Sequence, residues 1–239
     1  MDFNPSKCQV IQITRARKPL QTTYTLHGQT LEITTDAKYL GITLTNKLNW
    51  KTHIDNITNK ANRSLGFIKR NIKTKHVKTR QTAYKTLVRP QLEYSSSAWD
   101  PYTKDQIAQL EQVQRRAARW CLHDYSPLSS VSAMLDQLGW HTLQQRRQTS
   151  RAILLHKIVY GKVAIQMPPH YSIPVRHSSR NHPLHFYQVS TTKDYFKYSF
   201  FPRTIVLWNS LPYSLQIPSS KGPLPPSVTS GMYSVFYCK

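Results

Sequence analysis

The sequence is poor in acidic residues, and this shortage decides which partners it can have. Only 11 of its 239 residues are Asp or Glu, against 33 Lys or Arg, so the formal net charge is +22. No acidic residue lies between Asp136 and Asp194, and none follows Asp194. A chain of this charge repels itself when it folds, so a polyanion that neutralises it is the natural partner. The alternative is a basic, solvated surface without a specific partner.

Cysteine and glycine are also scarce. The three cysteines, Cys8, Cys121 and Cys238, are odd in number and widely spaced, which indicates a reducing compartment rather than a disulfide scaffold. Cys121 and His123 suggest zinc but have no second ligand pair nearby, so a buried thiol beside an exposed imidazole is favoured. Seven glycines cannot assemble a phosphate-binding loop, and the chain has no Ser/His/Asp or Cys/His catalytic constellation.

Long apolar runs are missing as well. No stretch approaches the roughly 20 residues that a membrane-spanning helix needs, and Met1 is not followed by a charged-then-apolar leader. A long basic helix with a bulky aromatic face is absent too, which argues against a role on a membrane surface. The sequence therefore predicts an intracellular protein without a membrane partner.

The hydropathy patterns that are present predict an α+β fold. Strand-like patterns fill residues 1–50: Cys8–Thr14 and Tyr39–Thr45 alternate, and a hairpin is expected around His27-Gly28-Gln29. An antiparallel helical bundle is expected over residues 51–165, followed by a basic, loop-rich extension over residues 166–212. Prolines and serines predict that residues 213–239 are disordered.

Helical periodicity defines the elements of the bundle. The first helix is predicted from an apolar stripe made of Ile54, Ile57, Ala61, Leu65, Ile68 and Ile72. A second helix begins near Val77, turns Tyr84, Leu87 and Val88 inward, and must end or kink at Pro90.

Capping signals predict where the later helices begin. A capping box at residues 103–106 opens the third helix, and a second one at residues 142–145 opens a helix that stops at Gly161. Near the end of the chain, Pro202 is expected to begin a short helix that buries Ile205 and Trp208 against the bundle.

Several short motifs follow one another in an order that is more informative than any one of them. They are NPSKC at Asn4–Cys8, KYLGITLTNKLNW at Lys38–Trp50, RPQLEYSSSAW at Arg89–Trp99, LEQVQRRAARW at Leu110–Trp120 and WNSLP at Trp208–Pro212. In this order and spacing they resemble the C-terminal part of a non-LTR (LINE-type, jockey-like) retrotransposon reverse transcriptase. The resemblance implies the end of the palm followed by the thumb.

The same resemblance implies roles for four residues. Lys7 corresponds to a lysine close to the phosphates of the incoming nucleotide, where a protonated amine serves as general acid. Tyr39, Leu40 and Gly41 correspond to the primer-grip hairpin, where a residue without a side chain lets the primer approach. Considered without the resemblance, Lys7 is a solvated residue at a strand edge and Gly41 is a glycine beside a bulge.

The resemblance also sets an expectation about catalysis. Reverse transcriptases are RNA-directed DNA polymerases that hold two Mg²⁺ ions with paired aspartates. In this family the pair lies upstream of a segment such as Asn4–Cys8, and the aspartates of this chain are all isolated. We expect a fragment that binds template and primer but does not polymerise and has no cofactor of its own, with a polymerase body in trans as a further partner. A domesticated nucleic-acid-binding protein and a decayed reading frame are the alternatives.

Basic residues supply the expected contact with RNA or an RNA–DNA duplex. Residues 51–90 hold eleven Lys or Arg and a single acid, Asp55. A thumb follows the backbone of a short duplex, so phosphates and shape are recognised rather than base edges. Besides Tyr39, Leu40 and Gly41, the expected contact residues are Lys60, Arg63, Lys69, Arg70, Lys73, Lys75, Lys78 and Arg80.

Overall fold

Residues 3–14, 16–18, 20, 22–171 and 184–216 are described by the structure, a computed structural model. Short strands come first and helices follow, so the protein has the α+β fold that the hydropathy pattern predicts. The chain divides into two units, Met1–Gln144 and Gln145–Lys239, each with its own apolar core.

Six short strands in the first unit form three two-stranded ladders among the described residues. The parallel ladder pairs β1 (Gln9–Ile11) with β4 (Glu32–Thr34). Two antiparallel hairpins pair β2 (Thr25–Leu26) with β3 (Gln29–Thr30), and β5 (Asp36–Tyr39) with β6 (Ile42–Thr45). The strand predicted over Tyr39–Thr45 is therefore wrong in its first residues, because Leu40 and Gly41 form the turn of the second hairpin.

Both hairpins close with two residues at positive φ. His27 and Gly28 have φ of 49° and 78°, and Leu40 and Gly41 have φ of 46° and 84°. Such turns match the twist of the strands that they join, and glycine adopts this conformation without steric cost. A hairpin is confirmed around His27-Gly28-Gln29, where the residue pattern predicts one, and the second lies where the resemblance implies a hairpin.

Seven helices of the described chain begin between residues 51 and 143. They are α1 (Lys51–Asn71), α2 (Val77–Ala83), α3 (Arg89–Glu93), α4 (Ser96–Trp99), α5 (Lys104–Leu122), α6 (Val131–Gln137) and α7 (Leu143–Val159). The division between the two units falls inside α7, whereas the sequence analysis placed a segment boundary at residue 165.

The predicted apolar stripe of α1 forms much of the first core. Ile54, Ala61, Leu65 and Ile68 are buried, and Ile57 and Ile72 are half-buried. The stripe packs on α5, which buries Leu110 and Val113 among others. Helix α5 begins where the first capping box predicts, although Thr103 makes no capping hydrogen bond with its side chain.

A π-helical segment, Tyr84–Val88, joins α2 to α3. Pro90 lacks an N–H and its ring would clash with a carbonyl one α-turn earlier, so the wider turn lets the chain continue through it. The helical path is thus irregular at Pro90 without ending there. The expectation for Leu87 is wrong, because its side chain is 51% exposed, whereas Tyr84 and Val88 are buried.

The structure bears on the predictions made for Cys121 and His123 and for membrane-spanning helices. Cys121 is fully buried, and this burial raises the pKa of its thiol to about 12, while His123 is exposed. None of the helices in the described ranges has both the length and the apolar composition that crossing a membrane requires.

The second unit has a smaller core around α9 (Phe200–Ser210). Along the chain, α8 (Asp194–Lys197) precedes this helix and α10 (Tyr213–Gln216) follows it. Ile205 and Trp208 are buried as predicted, together with Leu155 of α7. Pro202 is the third residue of α9 rather than the first. Residues 213–216 are helical and not disordered, and the remainder of the predicted tail lies outside the described residues.

Candidate nucleic-acid interface

A groove of about 650 Å³ lies between the β5–β6 hairpin and one face of α1. The turn of the hairpin forms one end, and α3 contributes a further wall through Gln91 together with the adjacent Tyr94. The residues that line this groove are Lys38, Leu40, Gly41, Thr43, His53, Asn56, Ile57, Asn59, Lys60, Arg63, Gln91 and Tyr94.

The groove continues along α1 as a second, more open depression of about 780 Å³. Asn59 and Arg63 line both parts, so the two depressions form one surface. We call this surface the α1 groove. Its second part is lined by Asn59, Asn62, Arg63, Gly66, Phe67 and Arg70. None of the residues that line either part is acidic.

The turn of the hairpin is held against an aromatic ring. The Tyr94 hydroxyl donates a hydrogen bond of 3.3 Å to the carbonyl oxygen of Leu40. A Cβ atom added at Gly41 would lie 3.2 Å from Cε1 of Tyr94. The ring of Tyr94 therefore packs against bare backbone while 59% of the residue stays exposed. A side chain at Gly41 would push the ring back by a few tenths of an ångström.

Several residues that the sequence analysis selected meet in the α1 groove. Leu40, Gly41, Lys60 and Arg63 line its first part, and Arg70 lies in the second. Lys69 neighbours Arg70 but is half-buried. Burial lowers the pKa of Lys69, and the nearby Arg116 guanidinium lowers it further.

Other selected residues are exposed but do not line the groove. Tyr39 ends β5, and Lys73 and Lys75 lie between α1 and α2, while Lys78 is on α2. Lys7 is exposed at the end of a single 3-10 turn, Pro5–Lys7. The structure does not bring Lys7 into the lining of the groove.

The expectation for Arg80 is corrected by its burial. Its Nε donates to the carbonyl oxygen of Thr74 at 2.7 Å, and its Nη1 donates to that of Trp120 at 2.6 Å. The guanidinium also lies over the Trp120 ring, 5.2 Å from the centroid. Arg80 therefore links α2 to the α1–α2 connection and to the end of α5 instead of presenting a charge to a ligand.

The sequence analysis missed several groove residues. Phe67 is 59% exposed between Arg63 and Arg70, and it lies off the apolar stripe of α1. An apolar residue outside the stripe was the signal that could have identified it. The amides of Asn56, Asn59, Asn62 and Gln91 carried no such signal, because exposed amides are common on any helix.

A buried histidine joins the two walls of the groove. His53 is 2% exposed, and its Nδ1 accepts a hydrogen bond of 3.2 Å from the backbone N–H of Thr43 in β6. The edges of Trp50 and Trp99 pack on the imidazole, with ring centroids 6.3 Å and 4.9 Å away. Desolvation by burial lowers the pKa of His53.

The chemistry of the lining is that of an anion-binding surface. Its charged residues are all cationic, and amide and aromatic side chains lie between them. The lining offers no carboxylate, so it does not fit the Mg²⁺ ions that the resemblance implies. The described residues also contain no cluster of three His, Cys, Asp or Glu side chains that could hold a metal. Comparisons with protein-family models, curated proteins and solved structures find no match.

Proposed function

We propose that the α1 groove binds the backbone of RNA or of an RNA–DNA duplex in the manner of a template–primer complex. The observation that carries this proposal is the line of Lys60, Arg63 and Arg70 in a groove without acidic residues. Lys60 and Arg63 are one helical turn apart, and Arg70 follows two turns later, about 10 Å along the axis. A single phosphate cannot contact all three cations, whereas a polyanion can.

Exposed rings beside these cations support a nucleic acid over other polyanions. Tyr94 lines the first part of the groove and Phe67 the second, and each is 59% exposed, so both offer aromatic surface on which unpaired bases can stack. Stacking of a base on an aromatic side chain contributes about 1–3 kcal/mol and tolerates any sequence. The amides between the cations can hydrogen-bond to phosphate and sugar oxygens, which position a strand without reading its sequence.

The ordered motifs that resemble a LINE-type reverse transcriptase support the same proposal. By that resemblance, the primer grip corresponds to the hairpin turn and the thumb to the helical part that begins with α1, and both the turn and α1 line the groove. The catalytic role implied for Lys7 stays a prediction.

Charge removal at matched sites tests the proposal. A variant with Lys60→Ala, Arg63→Ala and Arg70→Ala has the same net charge as a control with Lys104→Ala, Arg115→Ala and Lys162→Ala, all exposed outside the groove. Affinity for a short RNA–DNA hybrid is measured by fluorescence anisotropy between 50 and 300 mM NaCl.

We expect the slope of log affinity against log salt to shrink by about 2 to 3 in the groove variant, one unit for each lost phosphate contact. The control should keep most of the wild-type slope. Equal losses in the two variants would show that net charge, rather than the groove, governs binding. A wild-type affinity independent of salt would contradict the proposal altogether.

A further inference from the structure

A single hydrogen bond fastens the second hairpin to α1 through an ionisable group. Because Nδ1 of His53 accepts the N–H of Thr43, the neutral imidazole must carry its hydrogen on Nε2. A second link comes from Asn56, whose Nδ2 donates to Oγ1 of Thr43 at 3.3 Å. Thr43 and Thr45 form the buried face of β6, so these links hold the strand that leads out of the groove's turn.

Protonation of His53 would reverse the polarity of this contact. A hydrogen on Nδ1 would face the N–H of Thr43, which places one donor against another, and the bond would break. Water cannot easily compensate, because the ring is buried between Trp50 and Trp99 and its Nε2 already has no hydrogen-bond partner. The hairpin can therefore stay docked in this way only while His53 is neutral.

Charges of both signs lie on the elements around His53, and burial of the imidazole is what opposes its protonation. Lys38 on the hairpin and Lys60 and Arg63 on α1 line the same groove. Four carboxylates lie on the elements packed there or next to them. Asp36 begins β5, and Glu93 ends α3, where it pairs with Arg89 at 3.8 Å. Asp55 accepts a hydrogen bond of 2.8 Å from Gln109 on α5, and Asp100 follows Trp99 at the end of α4.

The direction of the pH dependence follows from burial. The pKa of His53 is lowered in the folded protein relative to an ordinary value of about 6.5 in the unfolded chain. The imidazole then binds a proton more readily when this contact is broken, so acid favours the state in which His53 and Thr43 are apart. The stabilisation is fully present above pH 6.5 or so and is lost as the pH falls through the lower folded-state value.

We infer that His53 is a positioning residue that holds the hairpin wall of the α1 groove, and that its protonation releases this wall and weakens nucleic-acid binding. The inference rests on the proposed function of the groove. Thr43 is two residues from Gly41, so release of Thr43 frees the turn that packs against Tyr94. Acid then lowers the affinity even though it adds positive charge elsewhere.

Two substitutions separate the hydrogen bond from the titration. In His53→Asn the side-chain oxygen takes the place of Nδ1 and accepts from Thr43 at any pH. In His53→Gln the amide lies nearer to the position of Nε2, so the bond to Thr43 is lost at every pH. Circular dichroism at each pH monitors whether each protein is folded.

The experiment measures two quantities between pH 7.5 and 5.0 for the wild type and both variants. One is affinity for an RNA–DNA hybrid by anisotropy. The other is protection of the Thr43 amide from hydrogen exchange by NMR, with the Leu31 amide of the β2–β3 hairpin, which donates to Tyr24 at 2.8 Å, as internal control.

We expect wild-type Thr43 protection to fall as the pH drops below about 6.5, by at most about tenfold per pH unit until the lower folded-state pKa is reached, and affinity to fall once the released state is populated. The Asn variant should keep both, and the Gln variant should lack Thr43 protection throughout. Leu31 protection should not follow the titration.

Parallel pH profiles for wild type and His53→Asn would overturn the inference. The inference would also be overturned if the Thr43 amide kept its protection both in the wild type at pH 5.0 and in His53→Gln. A wild type that binds no nucleic acid at pH 7.5 would overturn the proposed function instead, and Thr43 protection would still decide whether His53 holds the hairpin.

Discussion

Gly41 illustrates how one residue can shape the α1 groove in two ways. Its φ of 84° lies in the left-handed region, where a side chain strains the backbone. Gly41 also has no Cβ atom. A Cβ added there would lie only 3.2 Å from Cε1 of Tyr94, so its absence leaves room for the ring. Gly28 shares the first property, with φ of 78°, but has no atom within 4 Å of a Cβ position. The two glycines therefore form a natural pair for comparison.

Gly41→Ala and Gly28→Ala should both destabilise the protein, but only the first should weaken nucleic-acid binding. Each loses about 1–2 kcal/mol of unfolding free energy to backbone strain. Gly41→Ala also displaces the Tyr94 ring, so its affinity for an RNA–DNA hybrid should fall several-fold, in line with about 1 kcal/mol of stacking. Urea denaturation and anisotropy measure the two effects. Full affinity in folded Gly41→Ala would contradict a role for this contact.

Helix α2 shows that the position of a cation in its helix decides what the cation does. Lys78 and Arg80 are two residues apart, so they point in different directions around the helix axis. Lys78 is exposed, whereas Arg80 is buried and satisfies two carbonyl oxygens, one in the α1–α2 connection and one at the end of α5. Their substitution should therefore separate stability from binding.

Arg80→Ala should lower the unfolding free energy by about 2–3 kcal/mol, because two hydrogen bonds to a charged group are lost and the buried Trp120 carbonyl loses its donor. Lys78→Ala should change stability by less than about 0.5 kcal/mol. Thermal unfolding and affinity are measured for both. If Lys78 contacts a phosphate, its removal lowers the salt slope by roughly one unit. Stability retained in Arg80→Ala would show that its burial costs as much as its hydrogen bonds contribute.

The sequence predicted helices better than strands for a physical reason. A 3.6-residue apolar period is a local signal, and it located α1 and α5 with their buried faces. Thr43 and Thr45 form the buried face of β6, and Thr43 contacts His53 ten residues away, so alternation in β6 could not show which face is inside. Likewise, the inward turn of Arg80 depends on Trp120 in a distant helix.

The candidate site was predictable only where charge or a turn marked it. Gly41, Lys60 and Arg63 were found because glycine and cations carry their own signals. Tyr94 was missed as a site residue because its place in the groove results from the contact between α3 and the hairpin. His53 was missed because nothing in the sequence shows that its Nδ1 accepts a backbone N–H.

The charge of the whole molecule sets its response to salt. Even if each of the 11 acidic residues took one cation, 22 Lys or Arg would remain. Their mutual repulsion opposes folding, and salt screens it, with a Debye length of about 10 Å at 0.1 M. Salt also weakens attraction to a polyanion, because the release of counterions into a more concentrated salt solution gains less entropy. Stability and binding should therefore respond to salt in opposite directions.

Raising NaCl from 50 to 500 mM should raise the thermal midpoint of the free protein while it lowers affinity for an RNA–DNA hybrid. At 50 mM NaCl, adding the hybrid should itself raise the midpoint, because a ligand that binds the folded state stabilises it. The variant lacking Lys60, Arg63 and Arg70 carries three fewer charges, so its midpoint should rise less with salt. Differential scanning fluorimetry measures all three effects. A midpoint that falls as NaCl is added would mean that attractive ion pairs, such as Arg89–Glu93 at 3.8 Å, outweigh the repulsion among the excess cations.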